Sequence, residues 1–217
     1  MREAQVARAL LAIDAVGFTP YQPVKFKSGM LSPVYVDNRR LISSPQHWHL
    51  IIDSFQTLIE TNAIPYDMIA GIATGGIPHS AALAYILYAP TVYVRPQSKE
   101  HGKQNLIEGG SVTGRQVLLI EDMITTGGSS LGGITTLREA GAQVDDCLAI
   151  TTYGFAMSQQ AFQVARVRLW SLTTFEVILN EGMSAGRFGP AERRMIEDWL
   201  DEPHHWAERQ GFGDVHS

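Results

Sequence analysis

One stretch, Val117 to Ser130, constrains this chain more than any other. It passes from an apolar run, Val117-Leu118-Leu119-Ile120, into two carboxylates, Glu121 and Asp122, and then into the turn Thr125-Thr126-Gly127-Gly128-Ser129, which opens a predicted helix. The apolar run has the β-branched and leucine-rich character of a strand buried on both faces of a parallel sheet. Glu121 and Asp122 are then expected just beyond the carboxyl end of that strand, where open α/β sheets bind ligands. Ionised carboxylates accept hydrogen bonds only, which suits a vicinal diol. The following turn offers hydroxyls, unpaired backbone N–H groups and the positive end of a helix dipole, all favourable to a phosphate. Its glycines permit close backbone approach and positive φ. A diol binder one turn from a phosphate binder points to a ribose 5-phosphate.

The rest of the chain alternates in a way that supports a parallel sheet flanked by helices. Apolar positions Val6, Leu10, Leu11 and Ile13 predict a helix over Arg2 to Val16, ended by Gly17. Val24 to Phe26 and Val34 to Val36, joined by the Lys27-Ser28-Gly29 turn, read as a hairpin outside the main sheet. Ser44-Pro45 starts a helix running to about Glu60. Strand (Met68 to Ile72), helix (Pro78 to Tyr88), strand (Thr91 to Arg95), a long polar loop, strand (Gln116 to Ile120), helix (Gly128 to Ala140) and strand (Val144 to Thr151) follow. Then come a helix at Gln159 to Ala165, a short strand at Val167 to Leu169, a helix from Thr174 to Asn180 and a packed terminal helix from Pro190. The expected organisation is a single domain over 1–217, with an amino-terminal hood over about 1–40 and a helical extension over about 190–210.

Composition narrows the function class. At 217 residues and 45% hydrophobic content the chain can bury a full core. A net charge of −5, with no basic run longer than Arg39-Arg40 or Arg193-Arg194, argues against a nucleic-acid-binding face. The single Cys147 excludes an internal disulfide, and the pairs His47/His49 and His204/His205 lack the further ligands of a zinc site. Met68 to Val94 carries no Asp, Glu, Lys or Arg, but its glycines and prolines divide it into a buried β-α-β unit rather than a membrane span. The amino terminus lacks a signal-peptide apolar core, so a cytoplasmic location is expected.

The loop from Arg95 to Gly110 is long and polar and brings Arg95, Lys99, His101 and Lys103 together. Loops of this kind are usually functional, and these groups suit a leaving group that develops negative charge.

The Val117–Ser130 segment resembles the phosphoribosyl pyrophosphate (PRPP) signature of type I phosphoribosyltransferases. With the Lys27-Ser28-Gly29 turn, the Ser32-Pro33-Val34-Tyr35-Val36-Asp37 stretch and the Arg95-x-x-x-Lys99-x-His101-Gly102 loop, the chain is similar to orotate phosphoribosyltransferases from about residue 5 to about residue 180. That resemblance implies the type I phosphoribosyltransferase fold and transfer of the phosphoribosyl group from PRPP to orotate, giving orotidine 5′-monophosphate and pyrophosphate in pyrimidine biosynthesis. It implies Lys99, His101 and Asp122 as catalytic groups. PRPP would be held by Arg95, Lys99, His101, Thr74, Gly75, Gly76, Glu121, Asp122, Thr125, Thr126, Gly127, Gly128 and Ser129, and orotate by Lys27, Tyr35 and Thr125. Magnesium would be held mainly by PRPP oxygens, with Glu121 and Asp122 reaching it through water. A homodimer would share the 95–110 loop across subunits. Neither a nucleic acid nor a membrane is an implied partner.

Three positions depart from the family pattern. Pro96 and Gly75 stand where lysines are frequent, and Thr151-Thr152-Tyr153-Gly154-Phe155 replaces an Asp-Arg pair whose arginine meets orotate. The orotate carboxylate then needs Lys27, backbone amides, or a hydroxyl of Thr152 or Tyr153. Two alternatives follow: a phosphoribosyltransferase for another nucleobase, or a PRPP-sensing regulator.

Overall fold

The computed structural model describes residues 2–95 and 106–212. Helix α1 (Arg2–Ala12) ends four residues before the sequence pattern suggests, because Asp14 takes a left-handed φ of 53° and turns the chain. Asp tolerates that conformation better than most residues. Val16 to Phe18 then forms β1, a strand that begins inside the span expected to be helical.

The hood pairs differently from the expected hairpin. β2 (Val24–Lys25) pairs antiparallel with β3 (Leu31–Ser32), while β4 (Val34–Val36) pairs antiparallel with β1. Pro33, which has no N–H to give a ladder, separates β3 from β4. The buried Ser32 hydroxyl bridges the break, donating to the Val34 carbonyl at 2.7 Å. A 3-10 helix (Asn38–Ser43), not anticipated, leads into α2 (Pro45–Thr61), whose first helical residue is the expected proline.

Next come β5 (Met68–Ile72), α3 (Gly76–Ile86), β6 (Thr91–Val94) and β7 (Ile107–Glu108). β7 is the return limb of the polar loop and adds an antiparallel edge to β6, an element absent from the sequence expectation. β8 (Gln116–Ile124), α4 (Gly128–Glu139), β9 (Gln143–Thr152), α5 (Ala156–Val164), β10 (Arg168–Thr174) and α6 (Phe175–Ser184) complete the main body. α7 (Pro190–Asp201) and α8 (Trp206–Arg209) close the described chain, with Trp199 and Trp206 fully buried.

The main sheet has six strands in the order β10-β9-β8-β5-β6-β7, all parallel except β7. Alternate residues of each central strand enter different cores, as the two-residue period of a strand requires. Ile69, Leu118, Ile120, Leu148 and Ile150 pack on the side of α1, α2, α3 and α6. Met68, Ala70, Val117, Leu119, Cys147 and Ala149 pack on the side of α4 and α5. Each such fully buried Leu or Ile contributes about 1.5–3 kcal/mol relative to exposure. The chain leaves β5 toward β6 on one side and returns to β8 on the other, so the strand order reverses at the β5–β8 boundary. Crevices at such a reversal are where open α/β sheets bind ligands.

Candidate active site

A cavity of about 620 Å³ opens at that boundary, a size suited to a small-molecule ligand. Its wall combines the hood, the β5–α3 loop and the β8–α4 turn.

The β8–α4 turn is the part most directly legible in the sequence. Thr125, Thr126, Gly127, Gly128 and Ser129 all line the cavity. Gly127 adopts φ +83° to point the chain into α4, whose first N–H groups therefore face the hollow.

The two carboxylates are arranged differently from expectation. β8 continues to Ile124, so Glu121 and Asp122 lie within the strand and not beyond it. Strand alternation sends them apart: Glu121 follows Val117 and Leu119 toward α4, Asp122 follows Leu118 and Ile120 toward α3. Glu121 is only 4% exposed and accepts hydrogen bonds from the Ser130 hydroxyl (3.0 Å), the Ser129 hydroxyl (3.4 Å) and the Asp122 N–H (3.1 Å). Burial, and next the charge of Asp122, push its carboxyl well above the usual range. Burial thus favours the neutral form at Glu121 more than in an exposed carboxyl, and Glu121 and the half-buried Asp122 both line the cavity.

Asp122 is fixed from several directions. The buried Asn38 donates from Nδ2 to the Asp122 carbonyl at 2.7 Å, and Asn38 Oδ1 accepts from Thr151 at 3.5 Å. The Asp122 carboxylate occupies the space that a Cβ on Gly75 would need. This gives the Gly75 departure a physical reason, since any side chain there would displace the acid. Thr74 and Gly75 line the cavity at the start of α3. Gly76 does not; its missing Cβ lets α3 approach the Ile120 carbonyl of β8. Asn38 leaves no signal in the sequence, because its role depends on contact with a strand 84 positions away.

In the hood, Phe26, Lys27, Ser28, Tyr35, Asp37 and Arg39 line the cavity, joined by Tyr153 from the end of β9. Arg39 is not singled out by the sequence. Its guanidinium donates to Asp37 (2.6 Å) and to the Tyr35 hydroxyl (2.8 Å), which fixes its fork. Of the groups considered for the missing arginine, Thr152 lies on a different hollow and its hydroxyl accepts the Gly154 N–H at 3.1 Å. Tyr153 is 6% exposed, burial pushes its phenol up, and its ring stacks on Phe155 and meets Phe26, Phe175 and Trp199. It forms an aromatic wall, and α7, through Trp199, supports it from behind.

Arg95 is exposed, pairs with Glu108 of β7 at 3.5 Å and does not line the cavity. Lys99, His101, Gly102 and Lys103 lie outside the described residues. No group of three or more His, Cys, Asp or Glu side chains among the described residues could hold a metal ion. The few acidic side chains beside the phosphate turn, Glu121 and Asp122 on β8 and Asp37 in the hood, fit a magnesium ion that keeps its waters and draws most ligands from a substrate. No described helix is long and apolar enough to cross a membrane.

Comparison with known proteins agrees with this geometry. Residues 42–163 match the family model described as phosphoribosyl transferase domain. The orotate phosphoribosyltransferase of Coxiella burnetii is 41% identical over 202 residues, spanning 93% of this chain and 97% of that protein. That of Listeria monocytogenes is 41% identical over 209 residues, spanning 94% and 98%. The crystal structure of orotate phosphoribosyltransferase from Aeropyrum pernix superposes with a TM-score of 0.74 at 31% identity, covering 85% of this chain and 99% of that one. With near-complete coverage in both directions and a matching fold, the chain belongs to the orotate phosphoribosyltransferase family.

Proposed function

We infer that this chain transfers the phosphoribosyl group of PRPP to a ring nitrogen of orotate, forming orotidine 5′-monophosphate and releasing pyrophosphate. The observation that carries the reading is the meeting, in one cavity, of a phosphate turn, a presented carboxylate and a cationic, aromatic hood.

The Thr125–Ser129 turn holds the 5′-phosphate, with Thr125 also reaching toward the base, and Asp122 takes the ribose hydroxyls. Glu121, whose carboxyl burial pushes up, lies beside Asp122 on the cavity wall and is held by the Ser130 hydroxyl. Thr74 and Gly75, at the positive end of α3, receive the pyrophosphate, with Gly76 setting the helix close to β8. Orotate lies between Tyr35 and Tyr153, with its carboxylate on Lys27 and Arg39, the two cations that line the described cavity wall. As the bond from the anomeric carbon to pyrophosphate breaks, positive charge develops on the sugar, and fixed carboxylate and amide dipoles stabilise it.

Magnesium, when bound, would neutralise charge on the pyrophosphate oxygens; Asp122 and Glu121 would meet it through water. Lys99 and His101 receive the departing pyrophosphate from a loop over 95–110 that belongs to the neighbouring subunit of a homodimer. The exposed position of Arg95, away from its own cavity, supports that arrangement. So does α3, a helix without acidic side chains, lysine or arginine whose Tyr85 and neighbouring Tyr88 are 84% and 97% exposed. The single domain over 1–217, with its hood at about 1–40 and its extension at about 190–210, works as one cytoplasmic enzyme.

The test is purified protein with PRPP, magnesium and orotate, followed by orotate absorbance, with parallel reactions on hypoxanthine, adenine and uracil. Loss of orotate alone is expected. Turnover of another base, or of none, would overturn the pyrimidine reading. Lys27→Ala and Arg39→Gln should each raise the orotate KM with little change in the PRPP KM, and Lys99→Ala should lower kcat while PRPP still binds.

A further inference from the structure

His79 lies on α3 and is fully buried, yet its Nε2 atom has no hydrogen-bond partner among the described residues. Its other ring nitrogen is committed. Trp48 Nε1, on α2, lies 3.0 Å from His79 Nδ1, and an indole N–H can only donate. Nδ1 must therefore accept, and a neutral imidazole then carries its proton on Nε2. The ring is neutral near physiological pH, because burial pushes it down to about 4 despite the opposing pull of Asp122. The result is a buried N–H donor with one defined direction and no acceptor among the described residues. Such an orphan is unfavourable unless something bound in the site accepts from it.

The acceptor is close by. Gly75 and His79 are four residues apart at the start of α3 and so lie one above the other on the same helix face. The space a Gly75 Cβ would fill is taken by the Asp122 carboxylate. Strand alternation also turns Asp122 toward α3, on the same side of β8 as Leu118 and Ile120. The acid thus sits over the helix face that carries His79.

We propose that His79 is the positioning residue of Asp122: its Nε2–H takes the Asp122 carboxylate, directly or through one water, and holds it toward the ribose while PRPP is bound. Trp48 sets the tautomer, so the chain Trp48–His79–Asp122 links α2, α3 and β8 to the cavity. This rests on the reading of the cavity as a PRPP site. Wild-type turnover tests that reading separately, and the tautomer can be measured without substrate.

The experiment uses the full-length protein labelled with 15N-histidine. His79 should show the Nε2–H tautomer, and its ring proton should move downfield on adding PRPP and magnesium in the wild type but not in Asp122→Ala. In kinetics, His79→Leu should lower kcat about ten- to a hundred-fold, the scale expected when a reacting group is displaced by about 1 Å. His79→Gln, whose side-chain amide can place a donor near the Nε2 position, should recover activity to within about three-fold of wild type, a smaller loss than the displacement scale. In an Asp122→Ala background, His79→Leu should cost nothing more. The Nδ1–H tautomer, equal losses for Leu and Gln, or full additivity with Asp122→Ala would each overturn the proposal. If His79→Leu does not fold, the tautomer and the Asp122-dependent proton shift decide.

Discussion

Helices α3 and α4 both begin at the ligand-facing end of the sheet, and both are entered through a glycine, Gly75 and Gly127. The two glycines answer different demands. Gly127 sits at φ +83°, where a side chain is strained, and supplies the turn that aims α4 at the cavity. Gly75 has φ −65°, which any residue adopts; its missing side chain leaves room for the carboxylate of Asp122. One glycine shapes its own backbone, while the other serves a residue on a neighbouring strand.

Alanine substitution separates these roles. At Gly75 the three atoms nearest a methyl group all belong to the Asp122 side chain and φ is ordinary, so stability should change by only about 0.5 kcal/mol. It would, however, push Asp122 from its place, and kcat/KM should fall about a hundred-fold, as for a misplacement of about 1 Å. Kinetics and a thermal melt on the same preparation check both halves. Unchanged kcat/KM would mean that the position of Asp122 does not limit the reaction.

The same contrast explains what could be read from the sequence. The α4 start is legible because its parts are contiguous: an apolar strand, two acids, hydroxyls and glycines in one run from Val117 to Ser130. The alternation of strands and helices reveals the central sheet for the same local reason. What stays hidden depends on distant pairing. β1 pairs with β4, so Val16–Phe18 is a strand only because the hood folds back on it. Asn38 and His79 matter through a strand that the sequence does not place beside them. In the sequence Arg39 is only half of a short basic pair, whereas in the fold Asp37 and Tyr35 fix it beside the cavity. The acids are recognisable, but their opposite directions follow from β8 running on to Ile124, which moves both from the loop into the ladder.

Each helix start also has a buried ionisable group, and the two act with opposite sign. Glu121, beside α4, is raised, so its contribution to stability is complete below the unfolded carboxylate range and is lost as pH rises through the folded value. His79, beside α3, is lowered from 6.5 to about 4. Its unfolded form takes up a proton that the folded form refuses, so its contribution is present above pH 6.5 and is lost as pH falls toward 4. At pH 5 this should remove about 2 kcal/mol relative to pH 7, since a tenfold change in proton affinity between the folded and unfolded chain corresponds to about 1.4 kcal/mol. Urea unfolding at both pH values, in wild type and His79→Gln, isolates the effect, because the variant should lack it. Equal pH dependence in the two proteins would place the acid sensitivity elsewhere.

The smallest effect is expected at Gly127. Alanine there must adopt a left-handed conformation, which costs about 1–2 kcal/mol, and its Cβ would come within 2.9 Å of the Phe162 ring unless that ring shifts. Phe162 belongs to the core on the α4 and α5 side, away from Asp122 and Arg39, so the ring can yield without disturbing the base pocket. The loss should therefore fall on stability and on the phosphate turn. The PRPP KM should rise while the orotate KM stays near wild type, reversing the pattern expected for Gly75→Ala, where stability is kept and kcat/KM collapses. A Gly127→Ala protein as stable as wild type would show that the turn relaxes to another conformation. The difference between the two helix starts would then lie in their contacts, not in their backbones.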